Sequence, residues 1–200
     1  MNNFLTIQQL NHLLNIIPTY DGKHTEYLRD KTIIMLMALE GLRTVEIYRM
    51  SVSDINWDMK TIYIHGKYHN DFIYPRQDVF DALKDYLEVR PFFFESVDKF
   101  GEPVFTSVSN FSKGKRLDRR GIRYNIDKWL NKAGYKKAGI SCHMLRHTCA
   151  TLLYSANNGD LRMIQQVLRH KYINITDQYV HIDNDIIDNN CTSIINLKKD

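Results

Sequence analysis

Four short segments carry side chains able to hold an anion, move a proton or attack an electrophile. In GLRTVEI, residues 41–47, Arg43 follows a glycine break and Glu46 stands three residues on. At a helix start that spacing sets the carboxylate beside the guanidinium. Taken alone, it is also the spacing of a surface ion pair worth little. In HGKYHNDFIYP, residues 65–75, Lys67 occupies a turn. A turn lysine either enters a substrate groove or simply meets solvent. HMLRH, residues 143–147, puts His143 and Arg146 on one helix face. His143 and His147, four apart, have the spacing of a helical metal pair. The glutamate a metalloprotease needs after the first histidine is Met144 here, and no third ligand is evident, so no metal is expected. His147 reads as a packed or capping histidine behind the site. In LRHKYINITDQYVHI, residues 168–182, His170 is followed nine residues later by Tyr179. One tyrosine among twelve is, by itself, as well read as core packing.

Those segments need elements to position them, and the apolar spacing supplies mostly helices. Thr6 caps an amphipathic helix over IQQLNHLLNII. A second helix covers 24–41 and a short third covers 44–50. MKTIYIHGKYHNDFIYP alternates on both sides of Gly66, the mark of a β-hairpin with Lys67 at its tip. Gln77–Val89 returns to helix. Residues 95–117 are loop-rich, with a short strand expected at Pro103–Thr106. A helix follows over 118–133, another over CHMLRHTCATLLYSA with Ser141 as its cap, and a further one over Leu161–Leu168. Ile175–Tyr179 reads as a short helix, and Asp183–Asp200 begins helical and ends basic. The fold class is therefore α+β: a mainly helical domain with one small antiparallel sheet.

At 44% hydrophobic and 25% charged, the 200 residues fit one ordinary globular domain, or one and a small appendage, needing neither disulfide nor metal. Cys142, Cys149 and Cys191 are odd in number and lack CxxC spacing, which favours a reducing compartment. No run approaches the ~20 apolar residues of a membrane span, and the N-terminus has no signal-peptide pattern. A cytoplasmic protein is expected. The net charge of +4 admits DNA as a partner without demanding it.

Each segment alone is loose; their order is not. G-L-R-x-x-E, then G-K in a hairpin, then H-x-L-R-H opening a helix, then L-x-H with a tyrosine nine residues on: this set resembles the tyrosine recombinase/integrase family, from about Leu5 to His181. The resemblance implies the integrase-like, DNA breaking-rejoining fold and a catalytic set of Arg43, Lys67, His143, Arg146, His170 and Tyr179. Glu46 and His147 would support it from behind. It implies no cofactor, double-stranded DNA as partner, and a homo-tetramer on DNA formed from free monomers. Two departures stand out. Arg169 replaces the glycine usual before the second histidine, where it alters the turn or adds a phosphate contact. Tyr68–Asp71 replaces a more basic, glycine-rich turn. The resemblance starts five residues in, so residues 1–200 read as a single catalytic domain without an N-terminal core-binding domain. That fits either an excised domain or a short member such as the fimbrial promoter invertases. The tail, about 183–200, either exchanges between subunits or folds back.

The residue types suit metal-free DNA cleavage. A phenol of pKa about 10 needs nearby cations to attack at neutral pH. Arg43 and Arg146 would clamp the non-bridging phosphate oxygens, and His143 and His170 would add hydrogen bonds. Lys67 would protonate the leaving 5′ oxygen. The basic run of residues 112–123 contributes Lys113, Lys115, Arg116, Arg119, Arg120 and Arg123 as candidate phosphate contacts, joined by Arg169. The alternatives are a type IB topoisomerase, a non-catalytic DNA-binding regulator on the same scaffold, and a metal-dependent hydrolase using His143 and His147.

Overall fold

A computed structural model describes residues 3–18, 24–66, 70–137, 141–157 and 160–169. Lys67, His170, Tyr179, the helix expected at 175–179 and the tail lie outside the described residues. Helix α1 (Ile7–Asn15) starts at Thr6, whose hydroxyl accepts from the Gln9 amide while the Gln9 side chain accepts from the Thr6 amide. This reciprocal cap satisfies two amides that would otherwise lack partners. Just before it, the Leu5 amide donates to the buried Thr148 hydroxyl at 2.8 Å, tying the start of the domain to its far end.

Helix α2 (His24–Ala38) is the central post. Ile33 to Ala38 are buried without a break, so this helix has no solvent face in its second half. Each fully buried Ile or Leu there contributes about 1.5–3 kcal/mol. Around it pack α1, α4 (Gln77–Val89), α5 (Arg119–Lys132) and α6 (His143–Ala156). A polar pin runs through this core. Arg29 donates twice to Asp30, Trp129 of α5 donates to the other Asp30 oxygen at 2.8 Å, and Arg29 also reaches the Thr106 carbonyl. The helix ends at Ala38, three residues before the sequence-expected limit. There the chain turns through Gly41, and the Leu42 amide returns to the Leu36 carbonyl.

Helix α3 (Thr44–Arg49) follows, then a sheet of three strands rather than a lone hairpin. Strands β2 (Thr61–Ile64) and β3 (Asp71–Ile73) are the expected pair, in antiparallel register Ile62 to Ile73. The added edge is β1 (Ile55–Asn56), pairing Ile55 with Ile62. Two residues are too few to show a period of two, which is why the sequence hides it. The strand expected at Pro103–Thr106 exists only as isolated bridges, Ser51 to Pro103 and Thr106 to Arg116. Helix α7 (Leu161–Leu168) is capped by Asp160, whose carboxylate accepts from the Arg162 and Met163 amides. At α6 the cap position falls on Cys142, whose side chain makes no capping bond; Ser141 contributes its carbonyl to the Met144 amide instead. The observed architecture is the expected one: mainly helical, with a small antiparallel sheet.

Candidate active site

The site forms where three chain breaks meet: the turn from α2 to α3, the start of α6 and the end of α7. Gly41 makes that approach possible. Its φ of +65° strains any residue with a Cβ, and a Cβ placed there would lie 2.6 Å from Leu168 Cδ2 of α7, so the Leu168 side chain would have to shift. Two residues on, Arg43 is the N-cap of α3. Its amide donates to Glu46 Oε2 and its Nη1 to Oε1, both at 2.8 Å. The local spacing thus folds as the sequence suggests, with one difference. Glu46 is 1% exposed, so this is no surface pair. Removing one partner of a buried pair costs about 3–5 kcal/mol, against at most about 1 kcal/mol at the surface.

Helix α6 brings His143 and Arg146 to the same place. Its inner face is fixed by Cys142, in contact with the Thr44 hydroxyl at 3.2 Å, and by Cys149, whose thiol points at the Leu39 carbonyl. Arg146 is 7% exposed and donates to the carbonyls of Gly41 and Leu168, stapling both neighbouring breaks to α6. Burial, then the charge of Arg43, brings its guanidinium down to about 9, which leaves it protonated at neutral pH. His143 lies exposed at the rim. Partial desolvation and the guanidiniums of Arg123, Arg146 and Arg43 hold its pKa below the usual histidine value. A neutral imidazole at pH 7 can therefore accept a proton or donate one hydrogen bond to an oxyanion. His147, half-buried one turn on, is also lowered, by burial, His143 and Arg146.

Two cations behave differently from the sequence reading. The sequence offers Arg169 as a DNA contact, but its side chain is 8% exposed and turned inward, with Nη2 3.0 Å from Glu46 Oε2. Arg116 belongs, by sequence, to the basic run expected to track phosphates. Its guanidinium is spent inside the protein, on both oxygens of Asp98, on the carbonyls of Tyr48, Met50 and Gly101, and on the Ser51 hydroxyl. All five donors are taken, so none remains for a phosphate. Lys113, Lys115, Arg119, Arg120 and Arg123 are exposed. On α5 the three arginines are exposed while Ile122, Ile126 and Trp129 are buried, and Arg123 lies close enough to His143 to act on its charge. The Gly41 carbonyl, which accepts from both Arg146 and Arg169, was missed altogether. A glycine before Leu-Arg at a helix end was its only signal.

The phage integrase family model matches residues 3–185. The chain belongs to the phage integrase family. Among curated family proteins it is 35% identical over 180 residues to tyrosine recombinase XerC of Caldanaerobacter subterraneus subsp. tengcongensis, covering 90% of this chain and 47% of that protein. It is 31% identical over 178 residues to tyrosine recombinase XerD of Staphylococcus epidermidis, covering 88% and 58%. The chain thus spans about half the length of these relatives. Among solved structures, a XerH site-specific recombinase bound to a palindromic difH substrate, in a post-cleavage complex, superposes with TM-score 0.74 at 24% identity over 96% of this chain and 53% of that one. A XerA recombinase gives 0.72 at 24% identity over 100% and 65%. These two likenesses establish the family fold.

Glu46 gives this integrase-family domain an acid sensitivity. Burial pushes its carboxyl up, but Arg169, the Arg43 amide, Arg146 and the Arg43 guanidinium outweigh that and hold it below its ordinary value of 4.5. A depressed carboxyl pKa contributes stability that is complete above the unfolded value and lost as pH falls through the folded one. Glu46→Gln should therefore lower the thermal midpoint near neutrality, and its difference from the wild type should shrink as pH drops below about 4.5. A difference independent of pH in thermal melts would contradict this.

Proposed function

We propose that the chain is the catalytic domain of a site-specific DNA recombinase that cuts and rejoins strands through a 3′-phosphotyrosyl intermediate. The observation that carries the reading is the meeting of Arg43, Arg146 and His143 at one junction, though they lie up to 103 residues apart in sequence. Two forks and a neutral imidazole are what a phosphate gathering negative charge needs, supplied by the protein's own side chains. The names of the relatives agree with this reading. In the proposed reaction the Tyr179 oxygen attacks phosphorus, the bond to the 5′ oxygen breaks, and Lys67 protonates that oxygen. His143 or His170 takes the phenol proton. A 5′-hydroxyl from a partner strand then reverses the step, conserving the bond energy.

The exposed cations of α5 and the preceding loop would follow the backbone of duplex DNA. Strand exchange in pairs requires four subunits, so the active form is proposed to be a tetramer on DNA, assembled from monomers. Such a substrate places the protein in the cytoplasm, on the nucleoid. Among the described residues no helix is long and apolar enough to cross a membrane.

The test is covalent capture. Nicked suicide duplexes drawn from a random-sequence pool should yield a protein–DNA adduct stable to denaturing electrophoresis and formed in the presence of chelator. No adduct with any duplex, or one abolished by chelator, would overturn the reading. Within the same assay, Lys67→Ala should cleave poorly when the leaving group is the 5′ oxygen and recover when it is sulfur, which departs without a proton. Failure to recover would assign the acid to another group.

A further inference from the structure

Arg169 ends α7 in the left-handed region, φ 53° and ψ 47°. Glycine takes that conformation freely, whereas an arginine held there needs a compensating contact. The contacts form a closed ring. Arg169 Nη2 lies 3.0 Å from Glu46 Oε2; Glu46 Oε1 lies 2.8 Å from Arg43 Nη1; and Arg43 Nη2 returns to the Arg169 carbonyl at 3.3 Å. Arg169 Nη1 is anchored on the Val167 carbonyl of its own helix. Within the ring Glu46 is 1% and Arg169 8% exposed, while Arg43 is 29% exposed. The ring therefore buries two members and presents the third.

We infer that Arg169 is a positioning residue for the cleavage reaction: by closing the ring through Glu46 it fixes the direction of the Arg43 guanidinium and ties it to the end of α7. The inference rests on the recombinase reading above. Its electrostatics are specific. The charges facing Glu46 are Arg43 from the start of α3, Arg146 from α6 and Arg169 from the end of α7. Without Arg169 the buried carboxyl protonates more readily and releases Arg43 at a higher pH.

The experiment compares wild type, Arg169→Gly and Arg169→Lys in the full chain, on suicide duplexes captured by the wild type. Glycine suits the turn, so Arg169→Gly separates loss of the ring from loss of the fold. Its single-turnover cleavage should be about tenfold slower, the size seen when a group orienting a reacting residue is removed. Duplex affinity should stay within about threefold, since the ground-state contacts are untouched. The acid limb of its pH–rate profile should move to higher pH, and Arg169→Lys should recover part of both. In the free protein, the ¹³C-labelled Glu46 carboxyl should titrate at higher pH in Arg169→Gly than in wild type. A wild-type rate and acid limb in Arg169→Gly would overturn the inference, as would an unmoved Glu46 midpoint. So would rate and affinity falling together without recovery by lysine. The recombinase reading fails separately, if Arg43→Ala cleaves normally or the wild type captures no duplex.

Discussion

Arg146→Ala should slow strand cleavage by about 100-fold or more, equivalent to about 2.7 kcal/mol or more of transition-state stabilisation. The side chain sits where a guanidinium does two things at once. It donates to the carbonyls of Gly41 and Leu168, holding the α2–α3 turn and the end of α7 against α6. It also adds a positive charge at neutral pH beside Arg43 and His143, where negative charge would develop on the phosphate. Alanine removes the charge and leaves both carbonyls without this partner, so thermal stability should fall as well. Arg146→Lys separates the two losses, since lysine keeps the charge but not the planar fork. Single-turnover cleavage at saturating duplex is the measurement, with thermal melts alongside. Near-normal cleavage by Arg146→Ala would remove this residue from the chemistry.

The sequence is most legible where one helix face must be apolar and its ends are marked by small polar residues. Helix α4 falls on Gln77–Val89 and α7 on Leu161–Leu168, as the periodicity predicts, and α5 differs from expectation by one residue at each end. Thr6 caps its helix as read. Two limits are physical. A strand of two residues has no period to detect, so β1 was invisible. And a residue type gives a charge without its direction. Arg116 and Arg169 both look like phosphate contacts in a basic stretch. Each instead meets acceptors on distant segments: Asp98 and backbone carbonyls for Arg116, Glu46 for Arg169. Motif order, by contrast, picked out Arg43, Glu46, His143 and Arg146, which the fold brings to one junction.

Tyr179→Phe should abolish the covalent adduct altogether while leaving duplex binding within about threefold of wild type. The substitution deletes one oxygen and keeps the ring and the net charge, so the attraction for DNA is unchanged. The proposed intermediate has that oxygen bonded to phosphorus, and phenylalanine offers nothing to replace it. No residual rate through the same route is expected, unlike the arginine variants, which weaken stabilisation but retain the nucleophile. Eleven other tyrosines remain in the variant, so the assay must assign the bond as well as detect it. Fragmentation mass spectrometry of the wild-type adduct after proteolysis should place the nucleotide on Tyr179 and not on Tyr172 of the same peptide. Capture of DNA by the Phe variant, or a modified peptide elsewhere in the wild type, would shift the nucleophile to another residue. The two-arginine junction would then have to serve a different attacking group.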